Sequence, residues 1–463
     1  MIDLLRVLLS RWKAWREGSV NRRVFAAMLT VGSFTVLVKL IATVKEVIVA
    51  RQFGTSDALD AFLIAFLVPQ FIATVIGDSF SGGLIPTYIQ VRQHKGWEAA
   101  QRLLSSVMAW SSVFLVGLSA LLALSAPYLL PILASGFGPE KLALTRLLFY
   151  VLLPTLVIYG LSRIWAAIIN AGERFALVAA APIITSALTV AFLLLLGNLW
   201  GIYSYVVGVV GGLALEAALV AWSLRRQGFS LNIRWHGLDS STRQVISQYT
   251  PTVAAAFLFS SSTLIDQAMA AMLGPGSVST LNYGSKVVLA INGVAILAVA
   301  TAVLPHFSKM VTLEDWTGLR HTLKTYIGLI FIVSVPLTLG LVYFSEPLVS
   351  LLFQRGAFTT EDTHLVSQVQ ALFLLQVPFV SAGMLLVRLT SSLHANHWLI
   401  WSAVIGVTVN VVLNYVLMQW LGVAGIALST SAVFVVMFCC HLLNTLRLLG
   451  RVAHKQDTAE EIR

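Results

Sequence analysis

Apolar residues fall in long unbroken blocks along this chain, separated by short polar stretches, with no sustained period-two alternation. Read with a window of about 19 residues, the blocks predict twelve helices. They lie at 24–50, 59–90, 103–125, 145–170, 176–197, 201–224, 251–273, 279–305, 325–344, 365–389, 398–419 and 424–446. Each can cross a hydrocarbon core, which needs about 20 apolar residues. Continuous blocks favour helices over the alternating strands of a barrel. Before the first block, Leu4, Leu5, Leu8, Leu9 and Trp12 recur at helical spacing, which predicts an amphipathic helix on the inner leaflet. Arg6, Arg11 and Lys13 interrupt those leucines, so no cleavable signal is read there.

Composition agrees with lipid as the main solvent. Of 463 residues, 58% are apolar and 11% charged, and mean hydropathy is +0.86. A soluble domain is nearer a quarter charged. A secreted enzyme, a cytosolic nucleotide-binding protein and a disordered adaptor are thereby excluded. The net charge of +10 arises from 30 Lys and Arg against 20 Asp and Glu. In a lipid-embedded chain such an excess marks cytoplasmic loops and anionic headgroups of membrane lipids, not nucleic acid. With a cytoplasmic N-terminus, twenty-two of the 30 basic residues fall on inside segments and only Arg51, Lys141, Arg146 and Arg355 fall outside. Both termini are therefore predicted to be cytoplasmic. Cys439 and Cys440 are adjacent in an apolar run and cannot staple distant segments.

The two halves of the chain resemble one another. Leu84-Ile85-Pro86 and Trp97 recur as Val303-Leu304-Pro305 and Trp316 at an offset of 219, and Ser125-Ala126-Pro127 with Gly136 as Ser345-Glu346-Pro347 with Gly356 at 220. Pro154 and Ala171 recur as Pro378 and Ala395 at 224. Six helices per half make the repeats parallel, so the expected fold is all-α, with two parallel six-helix lobes around a central cavity, a transporter plan. The expected division is an amphipathic basic segment 1–23, an N-terminal lobe 24–224, a cytoplasmic linker 225–250, a C-terminal lobe 251–447 and a cytoplasmic tail 448–463.

A charged side chain at the bilayer centre costs about 2.5–3.5 kcal/mol on insertion scales. Lys39, Lys45, Glu46, Asp78, Arg163, Glu216, Asp266 and Lys286 nonetheless fall in predicted spans, with Asp60 near an end. Pairing or snorkelling accounts for Lys39 and Glu216. Lys45 and Glu46 diverge by about 100° around a helix and cannot both face lipid cheaply. Most of these groups lie on predicted helices 1, 2, 7 and 8, so a cavity between those helices carries cations and suits an anionic phosphate or diphosphate. Pro69, Gly77, Gly82, Gly83 and Pro86 predict a bent second helix. There is no Walker-type phosphate loop, H-E-x-x-H, G-x-S-x-G or C-x-x-C, so no cofactor or metal site is expected, and His394 with His397 fits interface placement.

Lys45-Glu46-Val47-Ile48-Val49-Ala50-Arg51-Gln52-Phe53-Gly54-Thr55-Ser56, followed by Leu59-Asp60-Ala61-Phe62 and Pro69, resembles the MurJ/MviN family, lipid-linked glycan flippases of the multidrug/oligosaccharidyl-lipid/polysaccharide exporter superfamily. Gly276-Ser277-Val278-Ser279, Leu304-Pro305 with Ser308-Lys309, and Leu352-Phe353-Gln354 with Gly356 extend the resemblance over nearly the whole chain from Phe25. It implies transfer of undecaprenyl-diphosphate-linked sugars from inner to outer leaflet by alternating access. It also matches Lys45-Glu46, Asp60, Asp78 and, nearby, Lys286 to charged positions of the family. Lipid II flippases of the family carry two arginines after the helix 2 proline and fourteen helices, where this chain has Ala73-Thr74 and twelve.

The expectation is an inner-membrane flippase, not an enzyme, for a polyprenyl-diphosphate-linked oligosaccharide such as an exopolysaccharide or O-antigen repeat unit. The alternatives are a peptidoglycan lipid II flippase and, behind it, a cation-coupled multidrug exporter. A membrane-embedded glycosyl- or acyltransferase lacks a catalytic constellation in this sequence. Lys45, Lys286 and Arg163 are the candidate diphosphate ligands; Glu46, Asp60, Asp78 and Asp266 are candidates for orienting those cations or exchanging a coupling ion.

Overall fold

The computed structural model describes residues 20–461 apart from positions 236, 238, 239, 303, 394 and 396, with backbone alone along some helical stretches. The proposed leaflet helix before residue 20 lies outside the described residues. Sixteen helices and no strand occur among the described residues. They are α1 (Val20–Phe53), α2 (Asp57–Leu133), α3 (Pro139–Leu152), α4 (Pro154–Ala171), α5 (Phe175–Ala180), α6 (Pro182–Trp200), α7 (Ile202–Arg226) and α8 (Ser240–Ala270). The rest are α9 (Ser277–Ala302), α10 (Leu304–Thr312), α11 (Trp316–Tyr343), α12 (Ser345–Phe353), α13 (Thr360–Leu374), α14 (Val377–Ser392), α15 (His397–Leu421) and α16 (Val423–Glu461).

Nine helical runs among the described residues are long and apolar enough to cross a membrane, and they coincide with nine of the twelve expected spans. The other three, 24–50, 251–273 and 279–305, coincide with α1, α8 and α9, helices of 34, 31 and 26 residues. The chain is thus an all-helical, multi-pass membrane protein. Large apolar side chains remain open on these helices: Val113 is 76% exposed, Leu195 77% and Ile332 72%. Lipid is the solvent that accepts them. Trp200, Trp222 and Trp420 stand exposed near helix ends, where amphipathic rings favour the membrane–water interface.

Helical backbone runs up to and on from the segment between the second and third spans, and the non-helical φ of 80° and ψ of −177° at Gly96 divide α2 there into two helices joined at a kink. The proline and glycines from Pro69 to Pro86 do not interrupt the helical backbone. Spacing explains this: Pro69 and Pro86 each remove one ladder hydrogen bond, which continuous helix on both sides tolerates. The repeat is visible at the turn. Gly96 precedes Trp97 as Asp315 precedes Trp316, the residue that opens α11, and Asp315 caps that helix through the Gly318 N–H at 2.9 Å.

Two compact units emerge. The first comprises Met1–Val49, Pro69–Ala126 and Leu147–Val253. In it, α6 and α7 pack tightly, because Gly208 and Gly212 let the Thr189 and Thr185 backbones approach; a Cβ at either glycine would lie 2.8 and 2.7 Å from those Cα atoms. The linker is held here too. Phe229 is buried against Tyr88 and Trp97, Ser230 exchanges hydrogen bonds with the Gln101 amide, and the Ser105 hydroxyl accepts from the Arg234 N–H at 2.9 Å.

The second unit comprises Ala50–Val68, Pro127–Arg146 and Ala254–Arg463. Its core joins Ile64 and Ala134 of α2 and its C-terminal end to Val278 and Leu281 of α9, Val369 and Phe373 of α13 and Ile426 of α16. A further cluster joins Phe307, Leu319, Leu323, Leu385 and Phe438. Loops of the repeat meet in matched pairs inside this unit. Gly136 lies against the Ala271 carbonyl and Gly356 against the Arg51 carbonyl, with any Cβ 2.5 and 2.4 Å away. Both partners of the second contact are displaced by 220 residues from those of the first.

Candidate functional site

In the first unit, Lys45 and Glu46 stand on α1, their side chains 20% and 16% exposed, with Nζ 3.0 Å from Oε1. The long lysine stem closes the angular gap between successive helix positions. Buried Tyr205 of α7 stands beside them, its ring centroid 5.9 Å from Lys45 Nζ. Arg163 of α4 lies 4.6 Å over the Tyr159 ring, one turn before it, and donates to the Tyr159 hydroxyl. Gly77 of α2 leaves the space, since a Cβ there would fall 2.8 Å from Arg163 Cγ. The backbone of Asp78 is helical, but its side chain lies outside the described residues. Glu216 accepts a hydrogen bond from the Thr185 hydroxyl, four residues on from Gly212 on the same face of α7.

In the second unit, Asp60 is fully buried at the start of α2. One carboxylate oxygen accepts from the Ser279 N–H and hydroxyl, both at 2.8 Å. The other accepts from the Gly276 N–H and Lys141 Nζ, also at 2.8 Å. Asp60 therefore caps the N-terminal end of α9 from another helix, where unsatisfied N–H groups and the helix dipole favour a carboxylate. Lys141 also reaches Asp57 at 2.5 Å. Beside this network the Thr55 hydroxyl donates to Asp362, and the Ala357 N–H donates to the Arg51 carbonyl at 2.8 Å. The expected role of Asp60, orienting Lys45, Lys286 or Arg163, is not the one this geometry gives. Its cation is Lys141, read from sequence as an ordinary outside-loop residue.

Asp266 of α8 is 7% exposed. It accepts from the side-chain amides of Asn410 at 3.0 Å and Asn414 at 2.7 Å on α15, and from the Thr430 hydroxyl at 3.0 Å on α16. Among the described residues, it forms no ion pair. Lys286 lies half-buried on α9. The sequence reading missed Tyr205, Lys141, Ser279, Asn410, Asn414 and Thr430. A signal existed for two of them: Asn410 and Asn414 stand four apart in a span, one polar face in an otherwise apolar helix. Ser279 lay in a recognised stretch, but nothing local tied it to Asp60.

A protein-family model described as Lipid II flippase MurJ matches residues 49–456. The lipid II flippase MurJ of Burkholderia cenocepacia is 27% identical over 438 residues, covering 88% of this chain and 80% of that protein. The probable lipid II flippase MurJ of Rickettsia prowazekii is 24% identical over 416 residues, covering 88% of this chain and 81% of that protein. A solved structure described as lipid II flippase MurJ in an inward closed conformation superposes with a TM-score of 0.77 at 22% identity, over 92% of this chain and 90% of that one. An inward-facing multidrug resistance MATE family transporter of the MOP superfamily gives 0.71 at 13% identity, over 93% and 99%. At such identities these structures establish the fold they share with this chain.

Proposed function

The chain belongs to the MurJ family, and from that premise we propose that it carries lipid II from the inner to the outer leaflet of the bacterial inner membrane. It is a transporter rather than an enzyme. The observation that carries this reading is the family match over residues 49–456, which takes in eleven of the twelve expected spans whole. That likeness favours lipid II over the exopolysaccharide or O-antigen unit expected from Ala73-Thr74 and the helix count. Two positions and a count weigh less than similarity along most of the chain.

In this reading Lys45 and Arg163 are the first unit's cations for the diphosphate, and Lys286 is the second unit's. Glu46 keeps Lys45 charged in a half-buried place, and an arriving diphosphate competes with Glu46 for the ammonium. The planar Arg163 guanidinium suits a two-point hold on phosphate oxygens. Asp266, ringed by neutral oxygen- and nitrogen-bearing side chains, is the place for a coupling ion. Both termini lie in the cytoplasm, following the excess of Lys and Arg on inside segments. Neither closure nor opening needs covalent chemistry, only two states separated by a few kcal/mol.

The test is replacement in a bacterium depleted of its resident lipid II flippase. Expression of this chain is expected to restore growth and to bring lipid II within reach of a membrane-impermeant label. No rescue there, with rescue instead of a strain lacking an O-antigen or exopolysaccharide flippase, would overturn the lipid II assignment in favour of the other glycan.

A further inference from the structure

In the first unit the lysine of α1 and the phenol of α7 differ in what can reach them. The Lys45 side chain is 20% exposed, whereas Tyr205 is 5% exposed. An anion arriving at this cluster therefore meets the ammonium and not the phenol. The ammonium carries three N–H donors. One serves the Glu46 carboxylate at 3.0 Å. A second serves the Tyr205 hydroxyl, which hydrogen-bonds with Lys45.

The two acceptors stand on different helices, and that decides the third donor. With Glu46 alone, the ammonium still turns about its contact with Oε1, and the flexible lysine stem swings with it. A second acceptor on α7 removes that rotation. Once two N–H bonds of a tetrahedral nitrogen are fixed, the direction of the third is fixed as well. A donor oriented in advance loses less freedom when a ligand arrives than one that must first be ordered.

We propose that Tyr205 is the positioning residue of the diphosphate grip: its hydroxyl sets the direction of the Lys45 N–H that meets a phosphate oxygen. It acts through Lys45 and touches no substrate itself. The proposal rests on the reading of Lys45 as a diphosphate ligand and adds the group that orients it.

The experiment uses the full chain in lipid nanodiscs and geranyl diphosphate, a short polyprenyl diphosphate without sugars, titrated by calorimetry against empty nanodiscs. Wild type is expected to bind saturably and Lys45→Met at least tenfold more weakly. Tyr205→Phe keeps the ring and removes the hydroxyl; it should weaken binding about fivefold, the worth of one hydrogen bond, at an unchanged thermal unfolding midpoint. In the Lys45→Met background the same change should cost less than about twofold, because the ammonium it steers is gone, whereas a phenol that merely packs would cost the same in both. Where Lys45→Met binds too weakly to titrate, Glu46→Gln takes its place: orientation then falls more heavily on Tyr205, and Tyr205→Phe should cost more than it does in wild type. Tyr205→Phe binding like wild type, while Lys45→Met has lost affinity, overturns the positioning role and leaves the diphosphate reading standing. Equal losses from Tyr205→Phe in both backgrounds, or a loss that comes with a lowered midpoint, overturn it too. Lys45→Met binding as tightly as wild type overturns the reading and the proposal together.

Discussion

Replacing Asp60 by Asn removes the charge of the buried carboxylate while keeping its shape. The native oxygens divide four donors between them, Ser279 N–H and hydroxyl on one, Gly276 N–H and Lys141 on the other, all at 2.8 Å. An amide has one accepting oxygen, so whichever way it turns, one pair of donors faces an NH2 group. Hydrogen bonds to charged groups contribute about 1.5–3 kcal/mol each, and stripping one partner from a buried ion pair costs about 3–5 kcal/mol. Asp57, whose side chain is 58% exposed, still holds Lys141 at 2.5 Å and recovers part of that loss. The expected destabilisation is about 2–4 kcal/mol. Equilibrium unfolding in mixed micelles measures it for wild type, Asp60→Asn, Lys141→Met and the double variant. The double variant should be at least about 1 kcal/mol less destabilised than the sum of the singles, because each single leaves the other partner stranded. A loss below about 0.5 kcal/mol for Asp60→Asn, or strict additivity in the cycle, refutes the view that a charged network ties the start of α2 to α9.

Gly356→Ala should destabilise the chain by more than about 1 kcal/mol, because φ there is 63° and the new methyl lies 2.4 Å from the Arg51 carbonyl oxygen; the same unfolding assay reads it. Lys45→Met and Lys286→Met should each lower lipid II translocation at least tenfold while the protein still accumulates in the membrane, and full activity of both rejects the diphosphate grip. Lys45→Arg should retain more translocation than Lys45→Met, since it keeps the ion pair with Glu46 3.0 Å away in the native protein. Asp266→Asn should abolish any dependence of translocation on an imposed cation gradient, measured in proteoliposomes, and a dependence equal to wild type removes Asp266 from ion coupling.

Much of the transmembrane layout was legible residue by residue. Val113, Leu195 and Ile332 belong to apolar runs whose length alone requires lipid, and their exposure in the fold follows. The Pro154 and Pro378 repeat was legible too, and each proline stands in the first turn of its helix, α4 and α14. The turn between the second and third spans was not: a polar segment reads as a loop, yet the backbone stays helical on both sides of Gly96 and turns at that residue alone. The candidate charges were found because each is expensive in a span. Their partners were not, because Lys141 and Ser279 look ordinary where they stand and the polar face of Asn410 and Asn414 does not name Asp266 as its partner.

What the sequence determined by itself is therefore what a solvent decides locally: which stretches enter lipid, and which charges are anomalous there. Partition into a bilayer acts on about 20 consecutive residues at a time, and that window fits inside one helix. Pairing was left to the tertiary structure. Asp60 meets Lys141 across 81 positions and Ser279 across 219, and Asp266 meets Asn410 across 144. An ion pair or hydrogen bond forms only within a few ångströms, a distance that the packing of helices sets and that no local pattern encodes.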